Sequence, residues 1–278
     1  MPALEPLTPT GLIDEAVHVL KARPRTIVAI AACFTVPVGL LTGILNRGLL
    51  GGLSLTEVFN DPSTAEAAAE SGTAAANVGA VLGIVLPSLL LPFMAAAYAH
   101  VVVGMRLGHE VTAGEALRRA GGKWWALIAS WVVVHLAELV GSFVAIGSIV
   151  FMAFFLVVAP AIALEGLGAM KGLKRSWSLT SRRLLPVMGV GVASGIVAYV
   201  LGQALSALPD FAGLLVGLDV GWIILAAGRA ATGLVVGPII ALTAVLCYLD
   251  LRVRLEGLDL ELAIADHYGP EPLAPDAA

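Results

Sequence analysis

The stretch WVVVHLAELVGS places His135 and Glu138 three residues apart, on one face of a helix, the spacing at which carboxylate metal sites in helical bundles present a Glu and a His. Such a site needs further ligands from other helices. His100 is the one other histidine in an uncharged stretch, and neither an HExxH pattern nor a second Glu/His pair exists, so no metal or other cofactor is expected. Nucleophilic chemistry has equally little to work with. Ser194 in GVASG lacks the glycine two positions earlier that a GxSG serine turn carries, no later apolar stretch holds a histidine, and Asp210 and Asp219 fall between apolar stretches. No catalytic residue is assigned, and the chain is not expected to be an enzyme.

Glu138 and Arg229 are charges inside apolar runs, where each costs ~2.5–3.5 kcal/mol at a helix centre by insertion scales. Two readings stand open. They form an ion pair toward the outer end of their helices, or each reaches the outer interface alone, since residues 230–249 could span without Arg229.

The densest charge lies in KGLKRSWSLTSRR, where Lys171, Lys174, Arg175, Arg182 and Arg183 surround Trp177 just before 26 residues without a charge. Nucleic acid is an unlikely match in chemistry, because the bases alternate with apolar residues at helical spacing and no binding module accompanies them. Anionic lipid headgroups fit better, at ~1 kcal/mol per base near the surface, with Trp177 at the interface. The plainer reading is a topological anchor of the kind every basic segment here supplies.

The elements that must carry these residues follow from composition. Of 278 residues 59% are hydrophobic and 13% charged, against a globular norm of roughly 25% charged. About 20 apolar residues cross a bilayer as a helix, and such runs recur along the chain. Six spans are predicted: 26–45, 78–105, two within 124–164, 184–207 and 222–249, with turns near Gly141, Ser142, Gly147 and Ser148 dividing the third from the fourth. The first 20 residues carry Glu5, Asp14 and Glu15 and no base, so the first span reads as a retained anchor rather than a signal peptide. Cys33 and Cys247 both fall inside spans, where packing is their expected role.

Lys21, Arg23, Arg25, Arg106, Arg118, Arg119, Lys123, Lys171, Lys174, Arg175, Arg182, Arg183, Arg252 and Arg254 all fall on one side of this topology, against Arg47 and Arg229 on the other. Basic loops stay in the cytoplasm, so both termini are expected there. Residues 1–25 then form a cytoplasmic segment, 26–249 a membrane domain with an outer loop at 46–77, and 250–278 a cytoplasmic helix and tail.

Three cytoplasmic segments share a plan: GLIDEAVHVLKARPR, TAGEALRRAGGK and EGLGAMKGLKRSWSLTSRR each precede a hairpin and end in bases. Leu12, Ile13, Ala16, Val17 and Leu20 share one helical face, as do Leu167, Met170, Leu173 and Trp177, opposite Lys171, Lys174 and Arg175. That is the pattern of helices lying in the membrane plane. The expectation is therefore an all-α polytopic fold of six transmembrane helices as three hairpins with cytoplasmic interfacial helices, which suggests a threefold repeat. After the last span, YLDLRVRLEGLDLELA carries a stripe of Leu251, Leu255, Leu258 and Leu262 and the pairs Asp250/Arg254 and Arg252/Glu256 at i,i+4.

Taken together, GLIDEAVHVLKARPRTI, MRLGHEVTAGEALRRA, VVAPAIALEGLGAMKGLKRSWSLTSRRLLPVMG and YLDLRVRLEGLDLEL resemble the bacterial six-helix family named after the membrane domain of glycerophosphoryl diester phosphodiesterases, its stand-alone actinobacterial members above all. The resemblance implies a six-helix fold in the bacterial cytoplasmic membrane. Some members continue into a phosphodiesterase barrel of ~250 residues. Only 29 residues follow the last span here, so that activity is not expected of this chain. The expected function is lipid binding or membrane organisation, or an accessory scaffold for another membrane protein, with anionic lipids as partners and no nucleic acid. A small transporter or channel gated by Glu138 and Arg229 is the alternative, and a membrane lipid enzyme stands behind both.

Overall fold

The computed structural model describes residues 7–49, 61, 73–144, 146–216 and 218–258. Most of the expected outer loop, Leu262 and the proline-rich tail lie outside the described residues. Helices α1 (Pro9–Ala22), α2 (Pro24–Leu49), α3 (Thr73–Arg106), α4 (Ala113–Gly121), α5 (Trp124–Gly141), α6 (Gly147–Phe155), α7 (Val158–Glu165), α8 (Ala169–Thr180), α9 (Leu184–Val216) and α10 (Leu218–Glu256) follow one another, with no strand among the described residues. Among the described residues six stretches are long and apolar enough to cross a membrane, each overlapping one of the six predicted spans.

Local chemistry sets the short helices. Thr8 caps α1 by accepting from the Gly11 amide at 3.1 Å, with Pro9 in the first turn. Thr112 caps α4 by accepting from the Glu115 amide at 3.3 Å. Gly166, at φ 66°, ends α7 in the left-handed conformation that glycine adopts without a Cβ penalty. As their spacing predicts, α1, α4 and α8 stand immediately before the hairpins α2–α3, α5–α6/α7 and α9–α10.

Their faces are used differently from the sequence expectation. Leu12, Ile13, Ala16 and Val19 of α1 are buried, and α1 packs on α9 and α10. In α8 the buried face is Gly172, Leu173, Ser176, Leu179 and Thr180, while Met170 and Trp177 are exposed. The buried stripe of α8 is thus rotated by roughly a quarter turn from the predicted one. Polar atoms explain the offset. Ser176 Oγ and Thr180 Oγ1 donate to the Phe154 carbonyl at 2.7 and 3.2 Å, at the break between α6 and α7. An amphipathic pattern identifies a sheltered face but not whether lipid or protein shelters it.

The 124–164 stretch divides where the turn residues predicted, and its second half divides again around residues 156–157, three to four residues ahead of Pro160. Pro160 lacks the amide that would bond the Leu156 carbonyl. The expected outer loop at 208–221 is instead helical over 208–216 and 218–221, because Gly213 and Gly221 let α9 and α10 touch backbone to backbone. Pro209, Asp210 and Gly213 look like turn signals, yet Pro209 packs against Gly228.

Helix α10 is the hub. Within an apolar 18-residue stretch of its span 67% of residues are buried, against 17–39% for the like stretches of the other five, and it packs on α1, α2, α3, α7, α8 and α9. Glycine makes the α2–α10 contact close: a Cβ at Gly43 would lie 2.6 Å from the Ala226 Cβ, and one at Gly233 would lie 2.9 Å from Thr35. By contrast, a Cβ added at Gly83 or Gly195 would meet nothing within 4 Å. Replacing Gly43 by Ala is expected to lower stability in detergent by about 1–3 kcal/mol through overpacking. Gly189→Ala, where the added methyl meets nothing within 4 Å, should be neutral or stabilising; thermal unfolding of both variants checks the contrast.

Candidate functional site

The basic end of the bundle is built on one guanidinium. Arg175 Nε lies 2.7 and 3.0 Å from the two oxygens of Glu165, and its Nη1 and Nη2 donate to Glu256 Oε1 and Oε2 at 2.5 and 2.7 Å. Tyr248 Oη donates to Glu165 at 2.6 Å and Arg252 Nε to Glu256 at 2.9 Å. The Arg175, Glu165 and Glu256 side chains are each about a quarter exposed. The fork shape of arginine suits this use, since its donors meet one carboxylate bidentately while Nε serves another. The network ties α7, α8 and α10 together.

Arg175 was expected on the headgroup-facing side, and the structure corrects that. Its Nε and both Nη atoms are engaged with carboxylates, which leaves it little capacity for a lipid phosphate. Glu165 and Tyr248 were missed by sequence reasoning. Ten residues and a left-handed glycine separate Glu165 from Arg175, so no helical periodicity links them.

Other bases at this end are spent similarly. Arg23 pairs with Glu110, Arg106 with Glu15 at 2.6 Å, Arg119 with Glu115 at 2.5 Å and Arg254 with Asp250 at 2.7 Å. Lys123 Nζ donates to the Gly166 carbonyl at 2.5 Å. The pairs Asp250/Arg254 and Arg252/Glu256 are those read from the sequence. Asp250 also accepts from the Leu7 amide and Arg254 donates to the Leu7 carbonyl, fastening the start of α1 to the end of α10.

What remains uncommitted is concentrated around α8. Lys171, Lys174 and Arg182 are exposed and Arg183 is half-buried, and none of the four makes an ion pair among the described residues. Arg183 lines a cleft of about 270 Å³ between α1, α9 and α10. Trp177, 45% exposed, stacks on Phe154 with ring centroids 3.8 Å apart and planes 14° off parallel. A rigid, half-exposed indole beside four free cations can seat at a headgroup layer. Trp124 and Trp125, stacked at 3.9 Å and exposed at the start of α5, add aromatic surface at the same end.

The intramembrane polar residues are not brought together as one gate. His135 Nδ1 lies 3.0 Å from the Trp131 carbonyl and its ring stands 4.3 Å from the Trp131 ring. His135, Glu138 and Ser194 line one cavity of about 350 Å³, which on α10 reaches only Ile240, Ala241 and Ala244. Ser194 Oγ donates to the Gly191 carbonyl at 3.0 Å, its own helix. Arg229 lines a different groove, between α2, α3, α9 and α10. Ile240, where the Glu138 cavity meets α10, is 11 residues from Arg229, about 16 Å along the helix. Among the described residues no ion pair joins Glu138 to Arg229, so of the two open readings the pairing is not the one formed. Among the described residues no group of three or more His, Cys, Asp or Glu is placed to hold a metal ion.

An all-α chain with six membrane-capable helices is, by length and composition, of the multi-pass membrane class. The chain matches no protein-family model, no curated protein and no solved structure.

Two stability outcomes follow. Arg175→Gln strands two partly buried carboxylates and should cost about 2–3 kcal/mol in unfolding experiments, whereas exposed Lys171→Gln should change stability by less than about 0.5 kcal/mol. Glu138→Gln and Arg229→Gln should be additive within about 0.5 kcal/mol in a double-mutant cycle, as expected of separate sites; a larger coupling would mean that the two charges meet.

Proposed function

We propose that this chain is a non-enzymatic integral membrane protein that binds anionic lipid headgroups at the surface around α8 and thereby organises lipid or anchors a partner membrane protein. One observation carries the reading. Six carboxylates at the basic end are occupied by Arg23, Arg106, Arg119, Arg175, Arg252 and Arg254, and of the seven bases left there without an ion pair or carbonyl contact among the described residues Lys171, Lys174, Arg182 and Arg183 gather beside the exposed Trp177, while Lys21, Arg25 and Arg118 lie apart on α1, α2 and α4. Local charge compensation by protein would have neutralised such a patch. A layer of lipid phosphates supplies the missing counter-charge at ~1 kcal/mol per base near the surface.

The bias of Lys and Arg toward this end supports a cytoplasmic placement for it and for both termini, and a bacterial cytoplasmic membrane as the location. The motifs resembling the glycerophosphoryl diester phosphodiesterase membrane-domain family support the same placement. The transporter reading loses its particular premise, a Glu138/Arg229 gate, because those residues line different cavities.

Full-length protein in nanodiscs of mixed phosphatidylglycerol and phosphatidylcholine tests the proposal through spin-labelled lipid contacts. Phosphatidylglycerol should be enriched around the wild type, less so as salt rises, and enrichment should fall at least about fivefold when Lys171, Lys174, Arg182 and Arg183 are all replaced by Gln. Equal enrichment in the two proteins would leave the basic end as a topological anchor alone.

A further inference from the structure

A groove of about 620 Å³ opens between α2, α3, α9 and α10, within the ~300–1,000 Å³ of ligand pockets. On α10 its wall is a single helical face: Arg229, Thr232, Gly233, Val236, Gly237 and Ile240. That face is about 16 Å long, half of a hydrocarbon core of ~30 Å. Arg229 also stands about 35 Å along α10 from Arg252, which belongs to the basic end. The groove therefore runs from the headgroup level opposite the basic end down to the middle of the bilayer, the depth of one leaflet.

Its polar groups gather at the Arg229 end and lack partners. Arg229 is exposed and makes no ion pair among the described residues. Thr232 Oγ1 is buried with no hydrogen-bond partner. Gln203 and Ser206 of α9 line the same end and make no hydrogen bond among the described residues. The wall there is also unfilled, since a Cβ added at Gly202, beside Gln203, or at Gly83 would meet nothing within 4 Å, and deeper in it is lined by apolar Met94, Val236 and Ile240. A hydrocarbon chain alone would leave the guanidinium and the Thr232 hydroxyl unsatisfied, and a small soluble anion would leave the apolar length empty. An anionic amphiphile satisfies both ends.

We propose that the groove holds one anionic glycerophospholipid from the leaflet opposite the basic end, its phosphate on Arg229 and one acyl chain laid along α10 as far as Ile240. The arginine binds the phosphate through charge-assisted hydrogen bonds, with Thr232 and Gln203 as further donors. This site is distinct from the α8 surface and does not depend on it.

The test uses full-length protein purified in mild detergent, with retained phospholipid measured by phosphorus assay and mass spectrometry. The wild type should retain about one anionic phospholipid per chain, and Arg229→Gln should lower occupancy about tenfold, the effect expected of losing one charge-assisted contact. Gly202→Leu, which fills open space, should exclude lipid equally while leaving the unfolding temperature unchanged. The variant lacking the four free bases of the α8 surface should still retain its lipid, so failure of that surface and failure of the groove are read separately. Undiminished retention in Arg229→Gln and Gly202→Leu would overturn the proposal. So would release of the lipid's place to inorganic phosphate alone, or cross-linking of residues 50–72 to the thiol of the lipid-free Gly202→Cys variant, which would make the chain's own segment the occupant.

Discussion

Arg175 Nε and both its Nη atoms point at carboxylates from two other helices, Glu165 at the end of α7 and Glu256 at the end of α10. Much at the basic end depends on that arrangement. A guanidinium only a quarter exposed would be costly without partners, and two carboxylates converging without it would repel. Locked together they fix the angle at which α8 crosses the bundle. Gly172 then lets α8 press against Ile162 of α7, and Ser176 and Thr180 close the Phe154 carbonyl at the α6–α7 break. With that face held inward, Lys171, Lys174 and Trp177 are held outward.

The same economy explains why the three amphipathic helices are not simply rafts on a bilayer. The apolar stripe of α1 is spent on α9 and α10, and Asp250 and Arg254 bind the backbone of Leu7. Protein and lipid are equally apolar solvents for a leucine, so the pattern that buries Leu12 and Ile13 would look identical in either case. Contact with particular polar atoms decides between them.

Charge within the membrane-spanning part divides between two cavities. Glu138 shares a cavity with His135 and Ser194 that meets α10 at Ile240, Ala241 and Ala244, whereas Arg229 lines a separate groove between α2, α3, α9 and α10. Two charges that look complementary in sequence are thus kept on different faces of the bundle by how their helices pack.

The class, the six membrane-capable helices, the turn between Gly141 and Gly147, the short helix before each hairpin, and the Asp250/Arg254 and Arg252/Glu256 pairs were legible in the residues alone. Those properties rest on hydropathy, glycine and spacing within a single helix, all of which are local. Only the tertiary structure decided that Arg175 faces carboxylates rather than solvent, that residues 208–216 continue a helix through Pro209, that Trp177 is exposed, and that Glu138 and Arg229 belong to different cavities. Each depends on how far one helix slides or turns against another, and that is set by the packing of residues distant in the chain, for which no periodicity within one segment carries a signal.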